Sequence, residues 1–207
     1  MKIVLIGPQF SGKGTLARMM ERELGLVQIS TGDLFRENIK NGTALGKEAE
    51  TYMNKGVLVP LPLTLSILKE KLKGEECKNG FVLDGFPRNL DQANALEDIV
   101  KIDTVILLDA PRDVIMRRCL GRRTCSKCGE IYNTSTYDKP TCKKCGSPLF
   151  QRDDDNLDSI KVRLEVYEKE TTPLINFYAD RLFVVDGSKT PEETFESVKN
   201  FLMEKTK

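Results

Sequence analysis

The chain has 207 residues, 40% of them hydrophobic and 30% charged, with a net charge of +1. That suits one globular core carrying small insertions, and it provides no bulk field to gather nucleic acid or an anionic membrane surface, so any anion site must be local. The absence of histidine excludes His acid/base chemistry, His-containing triads and His metal ligands, and the absence of an apolar run of about 18 residues argues against a membrane span.

In chain order, Ile3 to Ile6 is an unbroken apolar run closed by Gly7, as a strand buried on both faces reads. A secretion signal would need a longer apolar stretch and a small-residue cleavage site, so the cytoplasm is expected. The segment Gly7-Pro8-Gln9-Phe10-Ser11-Gly12-Lys13-Gly14-Thr15 follows, and Leu16, Met19, Met20 and Leu24 then mark one face of a helix. Val27 to Ile29 is a further short strand. Residues 30–59 read as helical, with no strand. Phe81 to Leu83 and Val105 to Leu108 are strands ending at Asp84 and Asp109. Residues 121–155 are polar, carry Gly121, Gly129, Pro140, Gly146 and Pro148, and read as an insertion. Leu157, Ile160, Leu164 and Tyr167 form a helical stripe, and Leu182 to Val185 is a strand ending at Asp186. Thr190 as N-cap, Pro191 and Glu193 form a capping box ahead of a helix striped by Phe195, Val198, Phe201 and Leu202. The alternation predicts an α/β fold, a doubly wound parallel sheet with two insertions.

The glycine-rich segment between a strand and a helix has the context of a phosphate loop. Backbone N–H groups and a helix N-terminus would converge on phosphate, and Lys13 would meet the charge that changes during transfer. The general Walker pattern has Ser or Thr after the lysine, whereas here Gly14 intervenes before Thr15. Asp84, closing a buried strand beside that loop, is placed to hold Mg²⁺ through water. Arg88 can make a bidentate contact to phosphate, and Arg118, Arg122, Arg123, Arg152 and Arg163 are further candidates, although any one of these five taken singly reads better as a solvated surface residue. Cys125 and Cys128, then Cys142 and Cys145, are two CxxC pairs 13 residues apart, each followed by a glycine. Four soft ligands with no open position predict a closed structural zinc site, with iron as the chemical alternative. Cys77 and Cys119 stand alone.

GKGT resembles the loop of the nucleoside monophosphate kinases, usually GxPGSGKGT, with Gln9 here for Pro and Phe10 for Gly. The ATP contacts it implies are Phe10, Ser11, Gly12, Lys13, Gly14 and Thr15. Phe10 is expected to act through its backbone N–H with its ring turned away from phosphate, so that Phe10→Gly leaves ATP affinity similar or slightly improved. Ser30 to Arg36, STGDLFR, looks like the adenylate kinase segment whose Thr meets adenine and whose Arg meets the AMP phosphate. By that resemblance Thr31 and Arg36 take those roles, and Val57, Leu58 and Val59 form the adenine and ribose wall. Gly85-Phe86-Pro87-Arg88, with Gln92 reading the adenine edge, resembles the same family. Uridylate and cytidylate kinases usually carry Ala at the position of Thr31 and Asn near Gln92.

Arg118 and Arg122 bracket Gly121 as at the family's start of the lid, although Arg117 competes with Arg118 for its role. Arg152-Asp153-Asp154-Asp155 resembles the lid's end. Arg122 is thereby implied at ATP, and Arg152 and Arg163 at AMP and the moving phosphoryl group. Ile131, Tyr132 and Lys189 are implied around the ATP base. The chain is similar to adenylate kinases of the zinc-bearing type over nearly its whole length. The resemblance implies reversible phosphoryl transfer from MgATP to AMP giving two ADP, for adenine nucleotide homeostasis, with Mg²⁺ and a structural Zn²⁺. It also implies a P-loop core of residues 1–29, 60–120 and 156–207, a monophosphate-binding insertion of 30–59, and a lid of 121–155. A cytoplasmic monomer without nucleic-acid or membrane partners is expected. A UMP/CMP-type kinase, or a zinc-ribbon binding module on an inactive kinase scaffold disabled by Phe10, remain as alternatives.

Overall fold

A computed structural model describes residues 1–205. Strand β1 is Lys2–Ile6, α1 Lys13–Leu24, β2 Val27–Ser30, α2 Thr31–Lys40, α3 Ala44–Asn54 and α4 Leu61–Leu72. There follow β3 Phe81–Asp84, α5 Leu90–Glu97, β4 Thr104–Asp109, α6 Arg112–Gly121, β5 Arg122–Cys125, β6 Ile131–Asn133 and β7 Leu149–Phe150. The chain continues with α7 Leu157–Val166, α8 Leu174–Phe177, β8 Leu182–Asp186 and α9 Pro191–Lys205.

Five strands make one parallel sheet in the order β2-β3-β1-β4-β8. The apolar strands read as unbroken runs because helices cover both faces. Val4 and Ile6 pack with Leu83, Val105 and Leu107 against Leu68, Leu96, Leu174 and Tyr178 on one face. Ile3 and Leu5 pack with Val82, Ile106 and Leu108 against Leu16, Met20, Phe195 and Val198 on the other. Each such side chain, wholly buried, contributes on the order of 1.5–3 kcal/mol. Since all five strands run the same way, their carboxyl ends lie at one edge. β1 feeds β2 and β3 on one side, and the chain then crosses to β4, so the crevice at that switch point is where ligands bind in such sheets.

The helix starts explain much of the local structure. Ser30, Thr43, Asn89 and Asn156 accept hydrogen bonds from backbone N–H groups in the first turns of α2, α3, α5 and α7. The capping box on α9 forms as read: Thr190 N–H donates to Glu193 at 3.0 Å, and Glu193 N–H donates to the Thr190 hydroxyl at 3.3 Å. The stripe ahead of β8 is narrower than its spacing predicts. Ile160 and Leu164 are buried, but Leu157 is 44% exposed, and Tyr167–Thr171 continues α7 as a wider π-type turn.

Residues 31–59 hold no strand and form α2 and α3, while Ser30, read as the start of that stretch, closes β2. The polar stretch after α6 holds strands that the sequence pattern did not show. β6, β5 and β7 form a separate antiparallel sheet, with Arg123 opposite Tyr132 and Thr124 opposite Phe150. These strands run from two to four residues, too short for a period-2 pattern to emerge.

Candidate active site

A cleft of about 750 Å³ opens at the carboxyl edge of the large sheet, between the phosphate loop, α2–α3 and the small sheet. The loop turns back over β4 at Gly7, whose φ is +145° and where a Cβ would stand 2.5 Å from the Leu108 carbonyl oxygen. Helix α1 then starts at Gly12 with no side-chain cap. Its first-turn N–H groups, from Lys13 to Thr15, therefore lack the side-chain partner that α2, α3, α5 and α7 have, and they are open to an anion. Gly14, the departure from the general Walker pattern, has a local reason. A Cβ there would stand 3.3 Å from Asp84 Oδ2 and 3.7 Å from Ile131 Cδ1, so a side chain would crowd the carboxylate.

Lys13 Nζ donates to the carbonyls of Gly7 and Pro8, both at 2.7 Å. Burial lowers the Lys13 ammonium to about 8, partly offset by Asp84. Burial likewise pushes the Asp84 carboxyl up, against the pull of Lys13. Among the described residues no protein group hydrogen-bonds the Asp84 carboxylate. A half-buried carboxylate without a hydrogen-bond partner, at the end of a strand beside a phosphate cradle, fits a hydrated Mg²⁺.

Four of the candidate arginines line the cleft beside carboxylates. Arg36 bonds Asp33 one turn earlier, Arg152 lies 3.6 Å from the same Asp33, Arg163 bonds Asp154, and Arg122 makes a two-point contact with Asp155. Burial raises Asp33, but Arg36 and Arg152 outweigh it and hold the carboxyl below its usual value. Asp154 is held down the same way, chiefly by Arg163. Burial, with Arg36 and Arg122 nearby, pushes Arg152 down to about 10, so it stays charged at neutral pH. Arg88 is the fifth: its Nε donates to Gly85 O at 2.8 Å. The sequence reading gave Asp33, Asp154 and Asp155 no role as arginine partners, although the DDD run after Arg152 holds the last two.

The remaining candidates sort by position. Thr31 is buried and donates its hydroxyl to Gly85 O at 3.0 Å, which leaves its oxygen lone pairs free. Gln92 accepts from Arg88 N–H at 2.7 Å. Thr31, Arg36, Val57, Leu58, Val59, Gly85, Arg88 and Gln92 line the cleft, as do Ile131, Tyr132 and Lys189. Phe86 and Pro87 do not: Phe86 is wholly buried in the core, so their side chains face the fold and only the turn they form adjoins the cleft. Arg117 is outside the question, for it is exposed and pairs with Asp113. Arg118 lines the cleft but is engaged by carbonyls of Ser11 at 3.1 Å and Gly187 at 2.6 Å, tying the phosphate loop to the loop before α9. Arg123 does not line the cleft and donates to Arg122 O. Gln9, Tyr137 and Lys143 also line it; neither spacing nor charge marked them beforehand.

Phe10 has a side-chain partner that the sequence did not show. Its φ is +65°, the only positive value outside glycine among the described residues, and its ring is not idle: the Arg122 guanidinium lies over it at 4.4 Å.

In the small sheet the four cysteine sulfurs lie within 4.8 Å of one another, with separations of 3.4 and 3.6 Å for Cys125–Cys145 and Cys128–Cys142. A disulfide needs about 2.05 Å, whereas four thiolates at about 2.3 Å from a tetrahedral zinc stand about 3.8 Å apart. The cluster fits a closed structural zinc site. Gly129 and Gly146 donate to the carbonyls of Cys125 and Cys142 at 3.1 and 2.9 Å, closing both turns. Tyr132 joins cleft and cluster, its hydroxyl 3.3 Å from Cys142 Sγ.

Comparison with known proteins gives a consistent result. A family model described as adenylate kinase matches residues 5–182. The chain is 45% identical to a protein named adenylate kinase from Clostridium acetobutylicum, covering 99% of this chain and 100% of that one. It is 45% identical to one from Clostridium tetani, over 98% of each. It is 44% identical to one from Caldanaerobacter subterraneus subsp. tengcongensis, over 98% of this chain and 96% of that one.

Proposed function

The chain belongs to the adenylate kinase family, catalysing phosphoryl transfer from MgATP to AMP, and we propose that the cleft's lysine and arginines are the groups that carry it. The observation behind this reading is convergence. Lys13, Arg36, Arg88, Arg122, Arg152 and Arg163 come from separate elements and line one cleft beside an uncapped helix start. Phosphoryl transfer asks for positioning and charge stabilisation more than covalent chemistry, and this set supplies both.

On this reading the ATP phosphates lie on the N–H groups of Phe10 to Thr15. Lys13 exchanges the Gly7 and Pro8 carbonyls for phosphate oxygens, a trade of neutral for charge-assisted bonds. Ile131, Tyr132 and Lys189 flank the ATP base. AMP lies between Val57, Leu58, Val59 and Gly85, its phosphate on Arg36 and Arg88. Its adenine lies against the free lone pairs of Thr31 and the amide of Gln92. Arg122, Arg152 and Arg163 surround the moving group. Their aspartate partners keep them ordered and charged before substrate arrives, which reduces the ordering needed at the moment of reaction. Asp84 would hold Mg²⁺ through water, and the bound ion would neutralise phosphate charge. The zinc site takes no part in the chemistry, since four thiolates leave no position for water.

Residues 121–155 act as the lid, 30–59 as the monophosphate-binding unit, and 1–29, 60–120 and 156–207 as the core. The small sheet, which pairs only within itself, supports that division. No helix among the described residues is long and apolar enough to cross a membrane. We assign the enzyme to the cytoplasm as a monomer without nucleic-acid partners, which gel filtration and a nucleic-acid binding assay test. A coupled assay of ADP formation with AMP, CMP and UMP tests the function: AMP is expected to dominate, and a preference for CMP or UMP overturns the base assignment.

A further inference from the structure

Phe10 occupies a backbone conformation that glycine adopts freely and that a residue with a Cβ holds only when its surroundings fix it. Two contacts fix it here. The ring packs on Ala110, Ile115, Cys119, Ile160 and Leu164, and the Arg122 guanidinium lies over the ring face, 4.4 Å from its centroid. That separation lies well inside cation–π range, and a planar guanidinium suits stacking.

Arg122 is constrained on a second side. Its Nε donates to Asp155 Oδ2 at 2.7 Å and its Nη2 donates to Oδ1, and the Asp155 side chain is wholly buried. Nη1 has no protein acceptor among the described residues, and Arg122 lines the cleft. The ring therefore supports the face of the guanidinium and the carboxylate holds one edge, which leaves Nη1, with both its N–H groups, for a ligand. Arg122 is also the first residue of β5, so the ring ties the phosphate loop to the root of the small sheet.

We infer that Phe10 is a positioning residue for phosphoryl transfer, its ring holding the Arg122 guanidinium in the plane from which Nη1 meets the transferring phosphates. The inference rests on the reading of Arg122 as a phosphate contact. It reverses the expectation from sequence, in which only the backbone of Phe10 mattered and glycine was harmless. The positive φ makes the test clean. Glycine at position 10 suits the backbone, so a loss on Phe10→Gly belongs to the ring and not to a damaged loop.

The experiment measures kcat and both KM values for F10G, F10L and F10Y in the wild-type and R122Q backgrounds, with melting temperatures alongside. F10G and F10L are expected to lower kcat by about 2- to 30-fold, the range into which a cation–π contact converts. KM for AMP should be unchanged. F10Y, which keeps the ring, should retain kcat. In the R122Q background F10G should cost nothing further. Should F10G be poorly folded, F10L keeps the apolar bulk and carries the comparison. The inference is overturned if F10G and F10L match wild type, if F10Y loses as much as F10L, or if F10G costs as much with R122Q as without it. An R122Q enzyme of undiminished kcat would instead remove the phosphate role of Arg122, and the inference with it.

Discussion

Strand β4 buries Val105, Ile106, Leu107 and Leu108 between helices, whereas β5 reads Arg122-Arg123-Thr124-Cys125 and pairs with two strands still shorter than itself. The hydrophobic clusters of the described residues draw no member from 122–150. The large sheet is held by apolar burial on two faces, and the small one by ladder bonds and a knot of four sulfurs. A segment this short and polar cannot bury enough surface to order itself, so a metal crosslink substitutes for a core. The contrast suits the work. On the proposed reading the phosphate loop stays fixed, while the small-sheet unit opens and closes over the nucleotide as an internally rigid cover.

The largest expected effect lies in the core-held half. Lys13→Ala or Arg88→Ala should lower kcat on the order of 10²–10³-fold while circular dichroism and melting stay near wild type. Activity within a few fold of wild type would place the chemistry elsewhere.

The lid should behave oppositely, losing order before chemistry. In Cys142→Ser, metal by elemental analysis should fall from about one per chain, and amides of residues 122–150 should exchange faster while those of β1, β3 and β4 do not. Transfer at low temperature should survive in part. Complete loss of activity with an ordered lid would show a catalytic metal and break the comparison.

A pH series sharpens it further. Lys13 in the free protein releases its proton near pH 8, whereas an unfolded lysine holds its own to about 10.4. Between those values the unfolded chain binds more protons, so this group makes stability rise with pH there. Below pH 8 both states are protonated and the cost of burying the ammonium is fully present. Activity moves the other way: kcat/KM for ATP, which reports the free enzyme, should fall about tenfold per unit above pH 8. Lys13→Arg should abolish that alkaline limb, and a limb unchanged in Lys13→Arg would assign it to another group.

The smallest effect is one of selectivity. Thr31→Ala should lower the preference for AMP over CMP, in kcat/KM, by about 2- to 10-fold, the worth of one neutral hydrogen bond. An unchanged ratio would mean that position 31 serves only to support Gly85.

Much of this was legible in the residues. Continuous apolar runs ending in Gly7, Asp84 and Asp109 identified a parallel sheet, because only strands covered on both faces can afford them. The CxxC pairs identified the metal cluster, because thiolate chemistry needs little beyond those side chains and their turns. Glycine and lysine spacing marked the loop as a candidate phosphate site, because such a site is local to one strand–helix junction. What the sequence could not settle were contacts made across the fold. Asp33 as a neighbour of Arg152, Asp155 as the partner of Arg122, Arg118 as a clamp between two loops, and Phe86 as core depend on elements distant in sequence that meet only when the chain folds. Phe10 shows the limit most plainly. Its place where the family carries glycine was legible, but the use of its ring was decided by where the chain brings Arg122, more than a hundred residues later.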